Sequence, residues 1–210
     1  MASTRVSLIP NSDEVADIIG QNGTGKSYLI RKMLDVVNGK VPVYVLDTKD
    51  EPLFHNIPKA GRVTRYADIK GLRGSYPVIV YTPNARELAN EELLDQFCED
   101  RYTEGNCLTV IDETTQVIRR SQPGPGALSL LCRGRGKKAP SWWGMQRPSS
   151  VSRWPFSEGK AFYVFRLNDK QDRLRVAEFT HPTLGGERPQ KYRFWFYRTD
   201  FEAPVMAGPI

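Results

Sequence analysis

The stretch Gly20-Gln21-Asn22-Gly23-Thr24-Gly25-Lys26-Ser27 constrains this chain more than any other. It satisfies the phosphate-loop pattern G-x-x-x-x-G-K-[S/T] at every fixed position. Such a match has meaning between a strand and a helix, and both flanks qualify. Val15-Ala16-Asp17-Ile18-Ile19 is an apolar run of strand length. After the loop, Leu29, Ile30, Met33, Leu34 and Val37 recur at helical spacing, and Asn38-Gly39 places a glycine just past the helix end.

That geometry dictates a chemistry. The glycines let backbone N–H groups point inward, and a helix starting near Lys26 adds the positive end of its dipole, so an anion is held there. Gln21, Asn22, Gly23, Thr24, Gly25, Lys26, Ser27 and Tyr28 are the candidate nucleotide contacts. Lys26 is placed to reach the β- and γ-phosphates, and the Ser27 hydroxyl to ligate Mg²⁺. ATP and Mg²⁺ are the expected ligands. Guanine selectivity would need Asn/Thr-Lys-x-Asp. Thr48-Lys49-Asp50-Glu51 has glutamate in the fourth place, and Asp169-Lys170-Gln171-Asp172 begins with aspartate.

A second motif follows about 85 residues later. Leu108-Thr109-Val110-Ile111 is an apolar strand that ends in Asp112-Glu113. Asp112 is the candidate metal ligand beside Ser27. Glu113 is the candidate base that orients and partly deprotonates an attacking water. The spacing leaves room for an extra strand between the two motifs, as in RecA-like (ASCE) P-loop NTPases. Gln146 ends the next strand, 142–145, and strand C-terminal ends line the ligand crevice of an open parallel sheet. It is read either as a γ-phosphate sensor or as a surface amide.

Strands are also expected over 41–46, 77–83, 161–167, 174–179 and 192–197, the last two antiparallel to each other. Helices are expected over 86–102 and 127–133. The fold class is therefore α/β: a mostly parallel central sheet flanked by helices, with antiparallel strands added at the C-terminal end. With 210 residues the chain is expected to be one domain, a core over 14–170 and a β extension over 171–210. The acids Glu87, Glu91, Glu92, Asp95 and Glu99 read as one solvated helix face. Residues 191–198 alternate basic and aromatic types, and are read as a core-packed strand in preference to a base-stacking platform.

Composition narrows the function classes. No run approaches the roughly 18 apolar residues of a membrane span, and the N-terminus lacks a signal-peptide core. Cys98, Cys107 and Cys132 are odd in number with no C-x-x-C pair, which argues against a disulfide framework or a zinc site. His55 and His181 stand alone in the sequence. A net charge of +6 suggests an anionic partner.

Leu131-Cys132-Arg133-Gly134-Arg135-Gly136, followed by a strand and Gln146-Arg147-Pro148, resembles the FtsK–HerA superfamily of DNA-pumping ATPases. So do the phosphate loop, Leu46-Asp47-Thr48-Lys49 and Asp112-Glu113. Small size and the Arg-Gly-Arg stretch most resemble the genome-packaging ATPases of membrane-containing icosahedral double-stranded DNA viruses. The resemblance covers residues 14–170. It implies a homo-oligomer, a hexameric ring around double-stranded DNA, working with capsid-vertex or membrane proteins in the host cytoplasm and the virion. It also implies an arginine given to the neighbouring subunit's site, with Arg135 or Arg133 as the candidates. Lys137, Lys138, Arg119 and Arg120 are candidate DNA backbone contacts. Other pumps, for conjugation or phage extrusion, a nucleotide-dependent switch and a small-molecule phosphotransferase are the competing readings.

Overall fold

Strands that are apolar on both sides need helices on both faces, and the chain is arranged in that way. The computed structural model describes residues 7–118 and 122–210. Among them, nine strands form one sheet: β1 Val15–Ile19, β2 Val43–Leu46, β3 Ala60–Val63, β4 Val78–Tyr81, β5 Leu108–Ile111, β6 Ser141–Met145, β7 Gly159–Phe165, β8 Phe194–Arg198 and β9 Val205–Ala207. Their order is β3-β4-β2-β5-β6-β1-β7-β8-β9. The pairings from β3 to β7 are parallel, whereas β8 and β9 add antiparallel. Strand β6 lies between β1 and β5, so the two nucleotide motifs sit one strand apart, as their spacing predicts.

The described helices are α1 Lys26–Val37, α2 Pro52–His55, α3 Ile69–Leu72, α4 Ala85–Leu88, α5 Glu91–Glu104, α6 Thr114–Val117, α7 Pro125–Arg133, α8 Arg153–Glu158, α9 Lys170–Phe179 and α10 Thr183–Gly186. No described helix is long and apolar enough to cross a membrane. Alternation along each strand divides the core. Ala16, Ile18, Val43 and Val45 pack with Leu29, Ile30, Met33 and Leu34 of α1. Each of those four α1 side chains contributes about 1.5–3 kcal/mol by its burial, so the core anchors the helix that carries the phosphate loop. On the other face Ile19, Tyr44, Leu46 and Ile111 meet Leu94, Phe97, Leu130 and Leu131 of α5 and α7.

Three expectations change. The helix expected over 86–102 is two helices, because Asn84 and Asn90 each cap one. Asn84 accepts from the N–H groups of Arg86 and Glu87, and Asn90 from that of Leu93. The stretch 174–179 is the end of α9, not a strand. Asp169 caps it, and its buried residues Asp172 and Val176 lie one helical turn apart. Strand β8 therefore pairs with β7 and β9 instead. The acidic face is only partly solvated. Glu87 accepts from the Tyr66 N–H and the Tyr81 hydroxyl, and Asp95 accepts from the Gly126 and Ala127 N–H groups across at α7. Phe194 and Phe196 of β8 are buried, in line with a core-packed strand. His55 is paired with Asp50 at 2.7 Å, and His181 accepts from the Thr183 N–H.

Candidate active site

The phosphate loop is shaped by what a side chain would hit. A Cβ on Gly20 would stand 2.5 Å from Phe165 Cβ, and Gly25 has φ +111°, a left-handed value that favours glycine. Within the loop, the Thr24 hydroxyl and the Lys26 ammonium both donate to the Gln21 carbonyl, at 2.7 and 3.0 Å. No side chain caps the start of α1. Its first N–H groups are therefore left for an anion.

Strands β5 and β2 deliver the acids and their partners. The N–H and hydroxyl of Thr48 both donate to Asp112 Oδ1, at 2.9 and 2.7 Å. Asp112 Oδ2 is buried with no partner, and a buried carboxylate oxygen without a donor fits a metal ion or its water shell. Lys49 Nζ donates to Glu113 Oε2 at 2.7 Å, and the Thr115 hydroxyl to Oε1 at 3.0 Å. Burial raises the Asp112 carboxyl to about 6 against the pull of Thr48 and Lys49. Burial also lowers the Lys26 ammonium to about 8; Lys49 adds to this, while Glu113, Asp112 and Glu51 oppose it. The two motifs thus share one electrostatic site.

Asn22, Gly23, Gly25, Lys26, Ser27 and Tyr28 line a cleft of about 250 Å³ together with Lys49, Gln146 and Tyr192. Gln146 is brought to the site by the end of β6. The residues present fit a nucleoside triphosphate with Mg²⁺: Ser27 and Asp112 for the ion, Lys26 and the helix start for the phosphates. Lys49 and Tyr192 are site residues that motif reading missed. Lys49 stands at the C-terminal end of a parallel strand, a position that marks it. Tyr192 carries no such signal.

The two candidate arginines are elsewhere. Both precede β6, at the opposite edge of the sheet, about 16 Å of strand from Gln146. Arg133 donates to the Ser129 hydroxyl, and its guanidinium lies 4.9 Å from the Tyr102 ring centre. Arg135 is 81% exposed and donates to Asp13 at 3.1 Å. Lys137 and Lys138 are exposed beside it. Arg119 and Arg120 lie outside the described residues.

Fold and site together define a RecA-like P-loop nucleoside triphosphatase. The chain is 27% identical over 172 residues to the DNA packaging ATPase P9 of Enterobacteria phage PRD1, spanning 81% of this chain and 72% of that protein. The genome packaging NTPase B204 of Sulfolobus turreted icosahedral virus 2, in complex with AMPPCP, has the same fold: TM-score 0.75 at 18% identity, over 96% of this chain and 100% of the other. The conjugation coupling protein TcpA of pCW3 superposes with a TM-score of 0.63 at 16% identity, over 93% of this chain and 60% of its own. No protein-family model matches the chain. The resemblance to genome-packaging ATPases seen in the sequence thus extends to a sequence relative, and the fold is shared with these solved structures.

Proposed function

We propose that the chain is an ATP-driven DNA translocase that packages a viral double-stranded DNA genome, acting as a hexameric ring at the capsid vertex. One observation carries the reading: Lys26, Ser27, Asp112, Glu113 and Gln146 converge at one edge of the sheet in a chain related to a DNA packaging ATPase. Lys26 and the start of α1 bind the phosphates. Ser27 and Asp112 hold Mg²⁺, which when bound neutralises charge on the β- and γ-phosphates. Glu113 orients a water in line with the γ-phosphorus and takes its proton as the bond to the β–γ bridging oxygen breaks. Gln146 senses the γ-phosphate.

Both Glu113 oxygens are engaged, by Lys49 and Thr115. Each oxygen keeps a second lone pair with which to accept from the attacking water. The catalytic arginine comes from a neighbouring subunit. Arg135 is favoured over Arg133, because its guanidinium is 81% exposed beside Asp13, whereas that of Arg133 is bonded to Ser129 and lies over the Tyr102 ring. The vertex partners, host cytoplasm and virion follow from the same reading.

The test is ATPase rate with and without double-stranded DNA at low and high salt. The expected result is stimulation that fades as salt rises, since phosphate contacts are lost with counterion competition. A rate indifferent to DNA at low salt would remove the motor reading and leave the nucleotide-dependent switch.

A further inference from the structure

The antiparallel end of the sheet brings two turns to the nucleotide edge. Phe194 opens β8 opposite Phe165, the last residue of β7, and Ala207 closes β9 opposite Phe194. Strand β7 runs parallel to β1, so residues just before 194 and just after 207 fall beside the phosphate loop. The contacts agree. Tyr192 lines the cleft with Gly25, Lys26 and Ser27. The Ile210 side chain lies against Gly25, where a Cβ would stand 2.9 Å from its Cδ1. The Ile210 N–H donates to the Tyr192 carbonyl at 3.1 Å and ties the two segments together.

Tyr192 differs from the aromatics that follow it. Phe194 and Phe196 are buried, whereas Tyr192 is 43% exposed, with the Lys191 ammonium 4.9 Å from its ring centre. Its φ is +64°, a value that costs a bulky residue on the order of 1–3 kcal/mol and is concentrated at ligand clamps. Strand order gives the cleft a direction. Lys49 and Glu113 follow β2 and β5, on one side of β1, and they mark the γ-phosphate end. Tyr192 precedes β8, on the other side of β1, where the far end of a nucleotide emerges.

We propose that Tyr192, backed by Ile210, is the base-binding wall of this cleft, its ring stacking on the aromatic base of the nucleotide. This rests on the reading of the cleft as a nucleoside triphosphate site. Stacking uses the π-face that every base has, so the wall holds the base without choosing it.

Calorimetric titration of the full chain with ATP, ADP and inorganic tripolyphosphate, each with Mg²⁺, tests it. Wild type should bind ATP more tightly than tripolyphosphate. Tyr192→Gly should weaken ATP and ADP about tenfold and leave tripolyphosphate unchanged, while Tyr192→Phe keeps the wild-type affinities. Glycine suits the positive φ, so Tyr192→Gly should melt no lower than wild type, which separates lost stacking from lost fold. An ATP affinity untouched by Tyr192→Gly, or an equal loss of tripolyphosphate, overturns the wall. A wild-type chain that binds neither ATP nor tripolyphosphate overturns the nucleotide reading itself.

Discussion

The two ends of strand β6 keep their charges differently. At the C-terminal end, Lys26, Asp112 and Glu113 are buried; Lys26 donates to the Gln21 carbonyl, and the two acids accept from Thr48, Lys49 and Thr115. At the N-terminal end, Arg135 reaches solvent and holds Asp13 through a pair of exposed groups. Losing a hydrogen bond to a buried carboxylate costs about 1–3 kcal/mol, while an exposed ion pair contributes about 0–1 kcal/mol. One end is therefore built to stay in register within its own subunit. The other can leave its partner at almost no cost and serve a second molecule. On the proposed reading, this chain assembles most of a hydrolytic site alone and leaves one exposed cation for a neighbour.

The strongest way to break that contrast is at the loose end. Arg135→Ala should lower turnover by about 10³–10⁵-fold with ATP affinity unchanged. Mixing it with Lys26→Ala subunits should restore activity, because each mutant then supplies what the other lacks. No recovery at any mixing ratio would end the assignment in trans, and a comparable loss in Arg133→Ala would move it to that residue.

The tight end is probed by Glu113→Gln, which should cut steady-state phosphate release about 10²–10⁴-fold while ATP still binds. Turnover near wild type would remove Glu113 as the base. The smallest effect belongs to the scaffold that carries the loose end. Asp95 caps α7, which leads to Arg133 and Arg135. Asp95→Ala should lower unfolding free energy by about 1 kcal/mol in a denaturant melt and leave ATP binding intact; an unchanged melt would mean that this cap is idle.

The site was legible where chemistry is written in consecutive residues. The phosphate loop and Asp112-Glu113 each sit on one strand end, and their flanks show the strand and the helix by period alone. Gln146 followed from the rule that parallel strands end at the ligand. Legibility failed where a role depends on a residue far along the chain. Nothing near Lys49 announces that its ammonium meets Glu113, 64 positions on. Asp95 read as a solvated acid because its acceptor role depends on α7, which packs against α5. The stretch 174–179 reads as a short segment of strand length, and the cap that makes it the end of a helix lies outside it, at Asp169. Tyr192 read as the start of a strand, since a positive φ leaves no trace in residue type when the residue is not glycine or asparagine.

Strand β6 has one more consequence. It is paired residue by residue with β1, and with β5 over Thr109–Ile111, so it behaves as a rod clamped on both sides. Gln146 sits at one tip and the Arg133–Lys138 segment at the other. A rod cannot shift at one tip alone. If the proposed sensor, arginine and ring hold, release of phosphate felt at Gln146 would be transmitted along β6 to the group that reaches the next subunit. Firing around the ring would then be ordered by mechanics, each subunit setting the clock of its neighbour.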